Sequence, residues 1–183
     1  RMGESLGETL VNNCAVEKID LTARIVNDTF QAENIITTIP WVLWPDYCDL
    51  PEEILKAIGS LKNASIDVDY HSANVNSQAH WLYEPDESIS YHRLLLRSNF
   101  IPKARGYWTE TNSSRSKQTN GIRFHNKFSY PINTIGKPAA VKEILEWAQG
   151  FGIMGLGRWG RWEHMNSDVA VAEALQIAKQ FLD

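Results

Sequence analysis

A glycine-rich turn between a short apolar run and a helical pattern constrains this chain most. Residues 155–160 read Gly-Leu-Gly-Arg-Trp-Gly, after a strand predicted over 151–156 and before a helix predicted to begin near Asp168. Glycines let a backbone approach an anionic ligand, Arg158 is able to grip a phosphate with two donors, and free amides at a helix start add positive potential. A tight turn with an ordinary N-cap at Asn166 explains the same pattern. The spacing is not the G-x-G-x-x-G fingerprint.

Strand-like and helix-like patterns alternate along the whole chain. Turn residues between β-rich runs predict a β-meander over 15–38, which ends on the apolar run 35–40. Further strands are predicted within 65–75, 78–83, 89–100, 124–132 and 151–156, and helices over 51–58, over 138–150 and from about 168 onward. The polar segment 109–121 is typical of a mobile loop. This order predicts a mixed α/β or α+β fold, which by itself names no function.

Composition and charge exclude several classes of protein. The 183 residues are 43% hydrophobic and 22% charged, as in ordinary globular domains, and no apolar run approaches the ~20 residues that cross a bilayer. A net charge of −4 argues against a general nucleic-acid binder. Cys14 and Cys48 lack metal-ligand or redox spacing, so we expect reduced thiols in a cytoplasmic protein without a metal site.

A second cluster of chemistry-bearing residues lies within the predicted strand 89–100. In a regular strand Tyr91, Arg93 and Arg97 point to one face and His92 to the other, so two arginines would line a surface suited to a diphosphate. A solvated sheet face over a leucine-rich core explains the same alternation. The seven tryptophans and six tyrosines are expected mostly in the core, although aromatic faces also stack on sugars, flavins or bases. The five histidines show no H-E-x-x-H spacing, and no G-x-S-x-G motif occurs.

The ordered series of motifs resembles the C-terminal half of the UDP-galactopyranose mutase-like flavoproteins, within the amine-oxidase and protoporphyrinogen-oxidase superfamily. The segments that carry the resemblance are 91–100 (YHRLLLRSNF), 128–132 (FSYPI), 157–162 (GRWGRW) and 166–171 (NSDVAV). The resemblance spans nearly the whole chain and lacks the N-terminal dinucleotide-binding unit. It implies the C-terminal part of an FAD-binding domain (1–40 and 136–183) around a substrate-binding domain with a mixed or antiparallel sheet (41–135).

The resemblance implies FAD as the cofactor and assigns residues to it. Gly157 and Arg158 match the Gly-Arg motif that lies against the flavin pyrophosphate. Ser167, Asp168 and Val169 match the helix start that caps the ribityl and ring region of the flavin. Both assignments agree with the electrostatics expected of a glycine turn followed by a helix start.

The resemblance also implies a nucleotide-sugar substrate. Arg93 matches an arginine near the flavin ring and the substrate diphosphate, and we expect it to be the catalytic clamp; Tyr130 matches a tyrosine that contacts the phosphates. His164 stands where the family often has a phosphate-binding tyrosine, and Asn166 where it often has an acid. In these mutases the reduced flavin attacks the anomeric carbon and displaces UDP, the sugar recloses as a five-membered ring, and no net redox change results.

Two alternatives to a mutase stay open on the sequence. One keeps FAD and changes the reaction to that of an amine oxidase or desaturase with an apolar pocket. The other is a noncatalytic binding or assembly module. We expect the chain alone to be inactive, with apolar surface on its final helix and on residues 35–39 that a homo-oligomer is one way to cover.

Overall fold

The computed structural model describes residues 2–181 and contains both helices and strands. The α-helices are α1 (Met2–Leu6), α2 (Glu52–Ser60), α3 (Arg97–Phe100), α4 (Lys137–Gly150), α5 (Gly157–Gly160) and α6 (Ser167–Lys179). The strands are β1 (Ile19–Asp20), β2 (Ile25–Val26), β3 (Phe30–Gln31), β4 (Ile35–Thr37), β5 (Asn63–His71), β6 (Trp81–Tyr83), β7 (Tyr91–Leu96), β8 (Tyr107–Asn112), β9 (Arg123–Pro131) and β10 (Ile153–Gly155). The predicted mixed class is therefore confirmed.

The chain divides into two compact units, residues 1–60 with 135–183, and residues 61–134. In the first unit β1, β2 and β3 form the predicted meander as an antiparallel sheet, and β4 pairs in parallel with β10. Helices α2 and α4 pack on each other. The assignment of chain segments to a flavin domain and a substrate domain stays a prediction.

The packing of α2 against α4 follows from their apolar periodicity. Ile54, Ala57 and Ile58 recur at helical spacing on α2 and are buried, and Ile144 and Ala148 on α4 are fully buried. Acidic residues occupy the first turn of α2, where they interact favourably with the positive end of the helix. This pair of helices forms the main apolar contact of the first unit.

A close backbone approach fixes the turn that follows β10. A Cβ on Gly160 would lie 2.2 Å from the carbonyl oxygen of Thr37, and one on Gly155 would lie 2.0 Å from the carbonyl oxygen of Gly160. The buried indole of Trp41 donates a hydrogen bond of 2.8 Å to that same Gly160 oxygen. Only glycine fits at Gly155 and Gly160. These glycines therefore have a structural role, in addition to the predicted role of letting the backbone approach a ligand.

The predicted apolar face of the last helix is exposed. None of the residues of α6 is buried, and Val171, Leu175 and Phe181 are each about half exposed or more. Residues 35–39 also include an exposed apolar side chain, Ile36. Exposed apolar surface of this kind is typical of sites that contact another protein, another domain or a ligand.

The second unit is a five-stranded antiparallel sheet with the strand order β6-β7-β8-β5-β9. Its middle strand, β8, corrects the sequence prediction, because residues 107–112 overlap the segment that polarity assigns to a mobile loop. Thr109, Glu110 and Thr111 are buried in β8. Burial of such residues requires hydrogen-bond partners, and His71 lies 2.9 Å from the Thr109 hydroxyl. The sheet thus has a polar interior strand.

Charged pairs join β5 to β9 on one face of this sheet. Asp69 accepts two hydrogen bonds of 2.7 Å from Arg123, and the buried Asp67 lies 2.7 Å from His125 Nδ1 and 3.7 Å from Arg123. Burial works against the Asp67 carboxylate, but the neighbouring Ser116 hydroxyl, His125 and the Arg123 charge together lower its pKa. The charged form of Asp67 therefore stabilises the folded sheet.

We expect Gly160→Ala to destabilise the first unit by about 1–3 kcal/mol or more, because the new Cβ would meet the Thr37 carbonyl. The matched control is Gly59→Ala in α2, where no atom lies within 4 Å of an added Cβ and a gain of about 0.5–1 kcal/mol is expected. Chemical denaturation of both variants measures the difference. Equal stabilities would contradict the described packing.

We expect Asp67→Asn to cost about 1–3 kcal/mol at neutral pH, since His125 and Arg123 lose a charged partner. A carboxyl whose pKa is lowered by folding stabilises the protein above its unfolded value, here 3.8, and this stabilisation is lost as pH falls through the folded value. The parent chain should therefore lose stability below about pH 3.8 more steeply than the variant. Urea titrations at several pH values measure both slopes, and parallel slopes would refute the role of Asp67.

Candidate functional site

The turn after β10 begins α5 at the buried residue Gly157. Gly157 has a φ of +68°, which favours glycine, and an added Cβ would lie 3.9 Å from the Ala170 Cβ of α6. The amide of Leu156 donates to the Thr37 carbonyl, so the start of the turn is tied to β4. Gly157 is thus packed close to the first part of α6, and the approach of an anion to its backbone stays a prediction.

Arg158 connects this turn to the segment that leads into α6. Its Nη2 donates a hydrogen bond of 3.0 Å to the carbonyl oxygen of Met165, and its own carbonyl accepts from the amide of Glu163. Arg158 therefore helps to position the residues just before α6, a role that the sequence prediction of a pyrophosphate ligand did not include.

The start of α6 offers backbone donors and a carboxylate at one place. Asn166 is the N-cap, and its side chain makes no capping hydrogen bond. The first turn consists of Ser167, Asp168 and Val169, all exposed, and carries the positive end of the helix dipole. With the Asp168 carboxylate among them, these groups are able to donate and to accept hydrogen bonds.

The structure brings the predicted cofactor residues together within the first unit. Helices α5 and α6 contact each other, so Gly157 and Arg158 lie near the start of α6. His164, predicted to bind substrate phosphate, is exposed in the segment between these two helices, and Asn166 ends that segment. The other two predicted substrate residues, Arg93 and Tyr130, belong to the second unit.

A β-bulge in β7 changes the predicted orientation of His92. Tyr91 lies opposite Thr111 and Arg93 lies opposite Glu110, so the register shifts between Tyr91 and Arg93. The extra residue puts His92 and Arg93 on the same side of the strand, with His92 Nε2 3.8 Å from a Glu110 oxygen. The prediction that His92 and Arg93 point to opposite faces is therefore wrong.

Arg93 is held by the middle strand of the sheet. Its Nε and Nη2 both donate to Glu110 Oε2, at 2.9 Å and 2.5 Å, and its guanidinium carbon lies 5.8 Å from the ring centre of Tyr83. Burial disfavours the charged guanidinium, but Tyr83, Glu110 and Tyr130 outweigh this effect and raise the pKa of Arg93. Tyr130, on β9, is the smallest of these contributions to the raised pKa of Arg93.

Arg97 does not share the face of a strand with Arg93, as the alternation predicts. Strand β7 ends at Leu96, and Arg97 begins the short helix α3. Its guanidinium lies over the ring of Tyr70 at 5.6 Å and donates to the Arg105 carbonyl. Sequence reasoning did not identify Glu110 as a site residue, because the polarity of 109–121 predicts a loop there. The β-branched residues on either side of it, in Thr-Glu-Thr, were the available signal for a strand.

A cavity of the first unit lies apart from these residues. It has a volume of about 620 Å³ and is lined by residues 17–22 and 45–49, which include none of the predicted site residues. Burial, with Asp49 nearby, raises the pKa of the Cys48 thiol in its wall to about 11. At neutral pH this thiol is protonated, so the cavity has no thiolate nucleophile from Cys48.

Other classes of site find no structural support in residues 2–181. The described side chains form no group of three or more His, Cys, Asp or Glu residues able to hold a metal ion. Within the same range, every helix is too short or too polar to cross a lipid bilayer.

Comparison with known proteins gives a structural relative. No protein family model matches the chain, and no curated protein matches it in sequence. A crystal structure of reduced UDP-galactopyranose mutase is similar to it with a TM-score of 0.69 over 87% of this chain, at 15% sequence identity. The chain has a UDP-galactopyranose mutase-like fold. It spans 45% of the length of that mutase chain. The mutase-like fold confirms the predicted architecture, while identity this low leaves the activity to a proposal.

The start of α6 meets two demands of a flavin dinucleotide, while Gly157 before it is buried. The first-turn amides of α6 have no side-chain cap from Asn166. Asp168 adds an acceptor for hydroxyl groups such as those of a ribityl chain. The start of α6 is thus chemically suited to the phosphate and hydroxyl groups that FAD carries.

We expect Arg158→Ala to loosen the start of α6, because the hydrogen bond to the Met165 carbonyl is lost. A charge-assisted hydrogen bond contributes about 1.5–3 kcal/mol, so exchange of the Ala170 amide, which donates to the Asn166 carbonyl, should accelerate at least about tenfold. Arg161→Ala is the matched control, since Arg161 pairs only loosely with Glu173, at 3.8 Å. Hydrogen exchange measured by mass spectrometry resolves this segment, and identical exchange in the two variants would contradict the role of Arg158.

Proposed function

We propose that this chain is part of an FAD-dependent enzyme that acts on a nucleotide sugar in the manner of UDP-galactopyranose mutase. The observation that carries the proposal is the mutase-like fold over 87% of the chain, in which the start of α6 offers backbone donors and a carboxylate that suit a flavin dinucleotide. The ordered motifs of the sequence support the same family. The reaction would be ring contraction of the sugar without net oxidation.

In this proposal the first unit holds the cofactor. Gly157 and Arg158 would lie against the pyrophosphate, and Ser167, Asp168 and Val169 would bind the ribityl and ring region with backbone amides and the Asp168 carboxylate. When bound, reduced FAD would supply the nucleophile for the anomeric carbon of the sugar. Arg158 would also keep the segment before α6 in place through Met165.

The second unit would supply the cation for the leaving diphosphate. Arg93 is charged, three-quarters buried and fixed by Glu110 and Tyr83, so little side-chain entropy is lost when it binds an anion. An arginine of this kind stabilises negative charge as the bond from sugar to diphosphate breaks. Tyr130 is the other proposed substrate contact of the second unit, and His164 and Asn166 are those proposed for the first unit.

The test is turnover of UDP-galactopyranose by the full-length protein with reduced FAD, followed by chromatography of the furanose product. We expect activity in the parent protein, a loss of about 100-fold or more in Arg93→Ala, and little change in the control Arg105→Ala, whose side chain is exposed. Equal rates in Arg93→Ala and the parent would overturn the role of Arg93. Turnover of an amine or a polyene in place of the nucleotide sugar would replace the mutase reaction by an oxidation.

The proposal also predicts the behaviour of this chain alone. Because the chain spans 45% of the length of the mutase chain, we expect weak FAD binding and no turnover by the isolated 183 residues. Stoichiometric flavin in the purified chain would contradict this expectation.

A further inference from the structure

The carboxylate of Glu110 is placed to control Arg93. Glu110 lies in the middle strand β8, opposite Arg93 on β7 and Val68 on β5, and its side chain is only 10% exposed. A buried carboxylate with a strand on each side has little freedom to move. One of its oxygens accepts both hydrogen bonds from Arg93, so the guanidinium position follows that of Glu110.

The β-bulge directs a second side chain to the same oxygen. His92 Nε2 lies 3.8 Å from Glu110 Oε2, and the His92 side chain is about half exposed. The ring of Tyr83 borders the guanidinium of Arg93 as well. Arg93 is thus fixed by a carboxylate and an aromatic ring, while the negative charge of Glu110 offsets its positive charge.

We infer that Glu110 is a positioning residue that orients Arg93 and at the same time weakens its affinity for a nucleoside diphosphate. The inference rests on the proposed function, because it assigns Arg93 to the diphosphate. The carboxylate occupies the Nε and Nη2 donors of Arg93, so these donors are less available to an incoming anion. The same contact holds the guanidinium in one geometry, which favours the transition state over loose binding of the ground state.

Glu110→Gln separates these two effects. The amide oxygen still accepts a hydrogen bond from Arg93, but the negative charge is gone. We expect the full-length protein to bind UDP about fivefold to tenfold more tightly in this variant, as measured by calorimetric titration. A merely structural role for Glu110 would leave UDP affinity unchanged or lower it, and either result would overturn the inference.

The dependence on Arg93 is tested by a double-mutant cycle. In an Arg93→Ala background, Glu110→Gln should change UDP affinity by less than about twofold, because the residue through which Glu110 acts is absent. An equal gain in both backgrounds would overturn the inference, since Glu110 would then act on the ligand directly.

A second variant covers the case in which Glu110→Gln does not fold. Glu110→Asp keeps the charge and withdraws the carboxylate from the guanidinium by one methylene. We expect UDP affinity within about threefold of the parent and a kcat at least about tenfold lower, because the orientation of Arg93 is lost. A kcat equal to that of the parent would overturn the positioning role.

The outcomes also separate this inference from the proposed function. Tighter UDP binding in Glu110→Gln without turnover of any nucleotide sugar would support the inference and count against the mutase reaction. Turnover by the parent with no response of UDP affinity to Glu110→Gln would support the mutase reaction and overturn the inference.

Discussion

The contact of three backbone segments at Gly155, Gly160 and Thr37 is the constraint on which the candidate cofactor turn depends. Gly155 and Gly160 have no side chain, and the backbone of β4, β10 and the turn after β10 is packed too closely for a Cβ at either position. The indole of Trp41 then binds the Gly160 carbonyl in a fully buried position. Because these groups are fixed, Gly157 and Arg158 have a defined direction relative to the start of α6.

A different principle organises the antiparallel sheet. Its middle strand buries Thr109, Glu110 and Thr111, and each such polar group requires a partner. Arg93 and His71 provide two of them from neighbouring strands. A buried carboxylate on the middle strand costs desolvation energy that an apolar residue would not, so its presence beside a fixed arginine is consistent with a functional as well as a structural role.

Local patterns in the sequence were sufficient for most of the fold. Apolar periodicity in 138–150 and the proline-acid start at 51–53 predicted α4 and α2, and the start predicted near Asp168 lies one residue from that of α6. These features depend on residues close in sequence. The short helix α5 at the glycine turn was not predicted. The resemblance to mutase-like flavoproteins added the order of the motifs, and the fold comparison agrees with it.

The incorrect predictions have a common physical cause. In each case the local structure is determined by residues that are distant in sequence and adjacent in the fold. Polarity predicted a loop at 109–121, whereas β8 forms because Arg93 and His71 satisfy its buried groups. Strict alternation predicted that His92 and Arg93 point to opposite faces of the strand. The β-bulge in the pairing of β7 with β8 puts them on the same side. Neither partner lies near enough in sequence to be recognised from a local pattern.

The visible absorption spectrum of the purified full-length protein tests the central claim most directly, since every enzymatic role assigned to Gly157, Arg158 and Arg93 requires bound flavin. We predict the two absorption bands of an oxidised flavin, bleached by dithionite, at one flavin per chain. A folded protein that lacks these bands, and that does not acquire them when FAD is added, would contradict the proposed flavin site and favour a noncatalytic binding module.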